Sequence, residues 1–159
     1  MSNLYSEHSE ADVADRALGF WQRLHPGVRS AIIVGLILTA IAVLNSFTGG
    51  TSIIFLYPVQ ILVYIANGVL AAYLAIRSGY QRADLPKVGA IAGAVGWVLP
   101  ALFYLIFGLI LGIATFGVGF LAVAVWVLCG PIDLAIHAFC GMLGGWLYGR
   151  FSGVPAAIP

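Results

Sequence analysis

Charged side chains are scarce in this 159-residue chain, and their absence excludes most classes of soluble protein. Asp, Glu, Lys and Arg make up 8 % of the residues, whereas a soluble domain contains about 25 %. Residues 30–76 carry no formal charge, and residues 88–149 carry one, on Asp133. A soluble fold of this length could not leave so much of its surface uncharged. We therefore interpret the chain as an integral membrane protein whose first partner is the lipid bilayer.

Several chemical signatures are also missing, and each absence removes a class of function. The sequence has no basic tract of the kind that binds nucleic acid and no GKS/T phosphate loop, so neither nucleic acid nor nucleotide is expected as a partner. Cys129 and Cys140 lie in apolar sequence and belong to no CxxC pair or Cys/His cluster. Neither a disulfide framework nor a metal site is predicted. The acidic first residues lead us to expect no cleavable signal.

The lengths of the two uncharged blocks predict four membrane-spanning helices. A helix crosses about 30 Å of hydrocarbon in about 20 residues. The first block holds two spans, at about 30–47 and 53–76, with a turn rich in Gly, Thr and Ser between them. The second block is too long for a tight hairpin and barely long enough for three spans. We place its spans at about 88–110 and 129–149.

The residues left over in the second block lie around 112–128. This stretch contains three glycines and no charge. We interpret it as a re-entrant or interfacial segment on the side opposite the basic residues. A fifth span is the alternative.

The basic residues predict the orientation. They precede the first span, connect the second to the third, or follow the last: Arg16, Arg23, Arg29, Arg77, Arg82, Lys87 and Arg150. By the positive-inside rule, residues 1–29 and the tail 151–159 are cytoplasmic, and 30–150 form a single transmembrane domain. The membrane that we expect is the prokaryotic cytoplasmic membrane.

The second and fourth spans resemble each other at an offset of 73 residues. Five identities carry the resemblance: Pro58 with Pro131, Gly68 with Gly141, Leu70 with Leu143, Leu74 with Leu147 and Arg77 with Arg150. A duplicated helical hairpin in parallel orientation would explain them, a plan known in membrane proteins. The predicted fold class is an all-α bundle of four transmembrane helices, built as two repeated hairpins.

The segment before the first span has the pattern of an amphipathic helix. A capping box at residues 9–12 precedes apolar residues at helical spacing, and Trp21 is suited to anchor the helix at the membrane surface. A frayed soluble tail and a docking surface for a partner protein are the alternatives.

A small set of polar residues lies inside the predicted spans. Asp133, His137 and Cys140 share one helical face, and the repeat matches them with Gln60, Tyr64 and Asn67. Intramembrane ionisable groups are costly and usually face the bundle interior, so they are candidates for function. An Asp and a His one turn apart can pass a proton or hold a cation between them.

Structural roles compete with that interpretation. Asp133 follows Pro131 closely, as expected in the first turn of a helix, where the free N–H groups and the dipole stabilise a carboxylate. Gln60 follows Pro58 in the same way. His137 could form a hydrogen bond between helices. It could also ligate haem, but a second buried histidine would then have to come from another copy. No cofactor is predicted.

Glycines at four-residue spacing predict close helix packing. They fall on the third and fourth spans: Gly89, Gly93, Gly141, Gly145 and Gly149. We expect no enzymatic activity. The predicted function is that of an accessory, scaffold or assembly subunit, which packs through glycine faces against copies of itself or within a larger membrane complex. The alternative is a homo-oligomeric proton or cation transporter or channel that uses the polar cluster.

Overall fold

A computed structural model describes residues 18–47 and 53–153 of the chain, and this part contains no strand. Four long helices are present in these ranges: α1 (Pro26–Phe47), α2 (Ile53–Arg77), α3 (Leu85–Ala114) and α4 (Val118–Phe151). All four are long and apolar enough to cross a membrane. The predicted all-helical class is confirmed for the described residues, and the four apolar helices are compatible with a membrane-embedded protein.

A sharp break separates α1 from the segment before it. Residues 18–23 are helical, and the guanidinium of Arg29 then donates through Nε to the carbonyl of Leu24 at 2.9 Å. The imidazole of His25 accepts a hydrogen bond from the Gly27 N–H at 3.2 Å. The predicted capping box at 9–12, most of the predicted turn between the first two spans and the end of the C-terminal tail lie outside the described residues. The amphipathic surface helix therefore stays a prediction.

The helices pack around α3 rather than as a symmetric square. Within the described ranges α3 contacts all three other helices, and α2 also contacts α1 and α4, whereas α1 and α4 make no extensive contact. A core of small side chains joins α2 to α3: Ala71, Ala72, Ala75, Leu85, Val88 and Ala92. Small residues bring helix backbones close together, which favours dispersion contacts in a membrane.

Residues 112–128 form no separate segment of their own, in contrast to the prediction. α3 continues to Ala114 and α4 begins at Val118, so these residues form the ends of two long helices and a tight turn. The helices that contain the predicted spans 88–110 and 129–149 are longer than those spans, and the described residues hold no fifth span. An interfacial position of the turn stays a prediction.

The glycines that suggested an interrupted segment serve the hairpin instead. Phe116 and Gly117 take positive φ angles of 52° and 104°, which reverse the chain. The hydroxyl of Thr115 accepts a hydrogen bond from the Gly119 N–H at 3.0 Å and satisfies a free donor at the start of α4. A Cβ on Gly119 would lie 2.4 Å from the backbone nitrogen of Gly112. Glycine is therefore needed where the two helices cross.

The two long helices extend beyond their neighbours at one end. α3 and α4 are about 12 Å longer than α1 and α2, at 1.5 Å per residue. We call the end of the bundle that carries Arg77, Arg82 and Arg150 the basic end. α1 and α3 begin level with each other at the basic end, since a Cβ on Gly27 would lie 2.7 Å from the Val88 carbonyl oxygen. The extra length of α3 and α4 therefore lies at the opposite end.

We call residues 101–130 the outer hairpin. It carries no charge, and Pro100 and Pro131, which lie inside α3 and α4, mark its two ends. Many of its large apolar side chains are exposed, including those of Ile113, Phe116, Leu121 and Leu128.

Candidate functional site

Tyr64, Asp133 and His137 meet between α2 and α4. The Nδ1–H of His137 donates to the backbone carbonyl of Asp133 at 2.6 Å, and the same nitrogen lies 3.4 Å from Asp133 Oδ1. The ring centroids of Tyr64 and His137 are 3.9 Å apart. His137 is 4 % exposed and Tyr64 3 %, whereas the Asp133 side chain is 32 % exposed. The imidazole is therefore fixed by α4 on one side and α2 on the other.

The Asp133 carboxylate is bound to a third helix through Trp97 of α3. The indole Nε1–H donates to Asp133 Oδ2 at 2.6 Å, a short distance typical of a hydrogen bond to a charged acceptor. Trp126 of α4 stacks on the same indole, with centroids 5.5 Å apart and planes 6° from parallel. Sequence reasoning missed Trp97. The sequence did contain a sign of its role: Trp97 lies inside an uncharged span, where its indole N–H needs a hydrogen-bond acceptor.

The helix-capping interpretation of Asp133 is wrong. α4 begins at Val118, so Pro131 lies inside the helix and Asp133 is far from its first turn. Gln60 is likewise not in a first turn, because α2 begins at Ile53 and Pro58 lies inside it. The error came from treating each proline as a helix start. The helix continues through each proline instead, as neighbouring helices in a membrane protein allow.

Asn67 belongs to a separate network that joins α1, α2 and α3. Its side chain is completely buried, and its Nδ2–H donates to the Ala92 carbonyl at 2.9 Å. The Ser30 hydroxyl contacts both the Asn67 backbone carbonyl, at 2.9 Å, and the side-chain oxygen Oδ1. Ser30 was not predicted as a site residue, since it was placed only as the first residue of a span. The network acts as an interhelical connection.

Gln60 points to neither network and instead lines a cavity of about 70 Å³. Tyr64 and Tyr104 also line it, together with apolar side chains of α1, α2 and α3. This volume can hold water, which needs roughly 10–15 Å³ per molecule on such a measure. Neither Asp133 nor His137 belongs to the cavity lining. The five predicted polar residues are therefore divided among a three-helix cluster, a separate amide network and a cavity wall.

The predicted packing glycines lie at helix contacts inside the bundle. A Cβ on Gly141 would be 2.2 Å from the Gly89 carbonyl oxygen, and one on Gly93 would be 2.1 Å from the His137 carbonyl oxygen. Gly145 lies equally close to the backbone of α3, with its Cβ position 2.3 Å from a carbonyl oxygen there. Gly149 is less crowded, because its nearest neighbours are side-chain atoms of Leu85 and Arg82 at 3.3 and 3.5 Å.

Two pairs of positions matched by the repeat are in direct contact. Tyr64 touches His137, and a Cβ on Gly68 would lie 2.0 Å from the Gly141 carbonyl oxygen. A two-fold axis between α2 and α4 would produce such contacts. The same axis would make the α1–α4 contact as extensive as the α2–α3 contact, and in the described ranges it is not. The internal repeat stays a prediction.

The cluster has the chemistry of a fixed hydrogen-bonded group. Within residues 18–47 and 53–153, no buried side-chain nitrogen or oxygen lacks a hydrogen-bond partner. Nor does any group of three His, Cys, Asp or Glu side chains in these ranges converge so that it could hold a metal ion. Cys140 is buried beside His137, and Cys129 is exposed. The arrangement holds three helices together and orients the Asp133 carboxylate.

The comparisons with known proteins add no family. No family model matches the chain, and no curated protein or solved structure is significantly similar to it.

Proposed function

We propose that this chain is a non-catalytic accessory or assembly subunit of a membrane complex, or of an oligomer of its own copies. The observation that carries the proposal is that Asp133, His137 and Asn67 are each held by hydrogen bonds within the bundle. Asp133 is bound by Trp97, His137 by Asp133 and Tyr64, and Asn67 by α1 and α3. Side chains held in this way stabilise a unique helix arrangement.

The partner surface is not the glycine face. Gly89, Gly93, Gly141 and Gly145 already contact backbone inside the chain, so they are covered. The outer hairpin is the alternative surface, because α3 and α4 extend past α1 and α2 there and expose many large apolar side chains. An apolar surface on a helix pair longer than the bilayer is what an assembly subunit would offer to a neighbour.

A photo-crosslinking residue can test this surface in native membranes. We propose one at Leu121 of the outer hairpin, which is 70 % exposed, and a matched one at Leu62 on the wall of α2, which is 65 % exposed. Position 121 is expected to yield a product that contains a second polypeptide, and position 62 mainly lipid adducts. Lipid adducts alone at both positions would contradict the proposal.

A transporter or channel remains the second candidate, favoured by the cavity that Gln60 and Tyr64 line. Under that function, liposomes containing the chain would conduct protons or cations, and the double variant Asp133→Asn, His137→Ala would abolish the flux. Our first proposal expects no flux above that of protein-free liposomes. If the wild type conducts ions and the double variant does not, the transporter or channel becomes the favoured function over the accessory subunit.

A further inference from the structure

A second cavity lies at the basic end, far from the polar cluster. It has a volume of about 350 Å³, and its lining residues come from the short 3-10 helix Arg82–Asp84, the start of α3 and the end of α4: Arg82, Pro86, Trp146, Gly149 and Arg150. The volume falls within the range of small-molecule sites, which is about 300–1,000 Å³. We call it the arginine pocket. Two of its five lining residues carry a guanidinium.

Within the described ranges, neither arginine side chain of the pocket has a protein partner. No ion pair or hydrogen bond there involves the guanidinium of Arg82 or Arg150, whereas the Arg29 guanidinium donates to carbonyls and that of Arg77 lies over the Tyr73 ring. Asp84 is close in sequence but forms no ion pair with either. Two unpaired cations in one concave site favour an anion as the missing partner.

The Arg82 stem packs beside α4 at Gly149. A Cβ on Gly149 would lie 3.5 Å from Cγ of Arg82, an ordinary contact distance. Arg150 follows directly on the same helix. The two guanidinium groups thus belong to different helices and border one cavity, an arrangement that suits an oxyanion with several acceptor oxygens.

Trp146 indicates where the pocket lies in the membrane. Its indole is 52 % exposed, one turn before Arg150 near the end of α4. Exposed Trp at the end of a transmembrane helix is typical of the headgroup region. Basic pockets between transmembrane helices at this level bind the headgroups of anionic lipids.

We propose that the arginine pocket binds the phosphate group of an anionic phospholipid, with Arg82 and Arg150 as its ligands. Phosphate oxygens accept hydrogen bonds from the two guanidinium groups, and the indole of Trp146 borders the glycerol region. The lipid is held by the bundle itself, so the site does not depend on the proposed function of the chain.

Native mass spectrometry of the full chain, released from detergent micelles, tests the site. Phosphatidylglycerol is titrated against phosphatidylcholine, and one phosphatidylglycerol is expected to stay bound to the wild type. Arg82→Gln and Arg150→Gln should each weaken its retention about 10-fold or more, because a hydrogen bond to a charged group contributes that order of affinity. Lys87→Gln is the matched control. This exposed cation of the same end lies outside the pocket, and its loss should change retention by less than about three-fold.

Two further measurements distinguish the remaining outcomes. An equal loss in Lys87→Gln would mean diffuse surface attraction and would overturn the site. Displacement of the lipid by inorganic phosphate at comparable concentration would assign the pocket to free phosphate and overturn the lipid as its ligand. The unfolding temperature of each variant in detergent separates lost binding from lost fold. If Arg82→Gln unfolds, lipid retention by Arg150→Gln decides the result, because Arg150 is exposed.

Discussion

Gly141 is the position where the bundle should tolerate a methyl group least. Gly141 lies between α2 and α3. A Cβ on Gly68 of α2 would lie 2.0 Å from the Gly141 carbonyl oxygen, and a Cβ on Gly141 would lie 2.2 Å from the carbonyl oxygen of Gly89 in α3. The obstructing atoms belong to backbone, so no side-chain rotation can relieve the overlap. Gly141→Ala must separate α4 from α3.

The expected cost can be set against the gain in helix propensity. Overpacking a well-packed core costs about 1–3 kcal/mol, and a clash with rigid backbone belongs at the upper end. Replacing Gly by Ala inside a helix returns about 1 kcal/mol. The net destabilisation should be about 1–2 kcal/mol, which lowers the midpoint of thermal unfolding by about 2–8 °C for a chain of this size.

Gly130→Ala is a matched control on the same helix. Outside its own chain neighbours, a Cβ there would meet only the Trp97 ring, at 3.6 Å, so no other helix obstructs it. Because Pro131 follows, contact with the proline ring offsets the helix-propensity gain. The midpoint can be followed by the reaction of Cys140 with a thiol-reactive dye in a Cys129→Ser background, because Cys140 is 6 % exposed and becomes accessible on unfolding.

The order of the unfolding midpoints of the two variants tests the predicted backbone contact at Gly141. Gly130→Ala should unfold close to the temperature of the background, and Gly141→Ala below both. If Gly141→Ala proved as stable as Gly130→Ala, the helices would not approach each other at this glycine, and the packing derived from it would be refuted.

Three further outcomes are expected. Asn67→Ala should lower the free energy of unfolding by about 1–3 kcal/mol, since it leaves buried hydrogen-bond partners unpaired. Gln60→Ala should lower it less, because the Gln60 side chain is half-buried. Equal unfolding midpoints for the two variants would contradict the stabilising role of the Asn67 network. Trp97→Phe should lower the free energy of unfolding of the wild type by about 1.5–3 kcal/mol, but that of an Asp133→Ala background by much less. A double-mutant cycle that shows no coupling energy would mean that the Trp97–Asp133 hydrogen bond does not stabilise the fold. A cysteine at Ser152 should resist labelling from outside intact cells under the four-span topology, and rapid labelling would place this end outside.

The helical class and the first two spans were predictable because one physical quantity decides them. A charge in the hydrocarbon costs several kcal/mol, so uncharged blocks reveal the membrane-embedded segments directly. α1 and α2 begin and end within a few residues of the predicted spans where the structure describes them. The helices of the third and fourth spans are longer than predicted, because their length was derived from bilayer thickness and nothing in the uncharged sequence of 112–128 marked where a helix must stop.

The polar residues were found by type, but their partners were not. Asp133 and His137 stand out as ionisable groups in apolar sequence, and their spacing placed them on one face correctly. The Trp97–Asp133 bond joins residues 36 apart in the chain, and Ser30 meets Asn67 across 37 residues. Such pairs depend on how the helices are rotated against each other, which hydrophobic patterning leaves undetermined when nearly every face is apolar.

The outer hairpin gives this bundle two hydrophobic thicknesses. The 22 and 25 residues of α1 and α2 correspond to about 33–38 Å and suit an ordinary bilayer with a moderate tilt. The 30 and 34 residues of α3 and α4 correspond to about 45–51 Å and do not. If all four helices cross one bilayer, the excess length of α3 and α4 is accommodated by tilt, by local thickening of the bilayer or by projection of the outer hairpin into the headgroup region. Each of these responses affects the lipids beside α3 and α4 and not those beside α1 and α2.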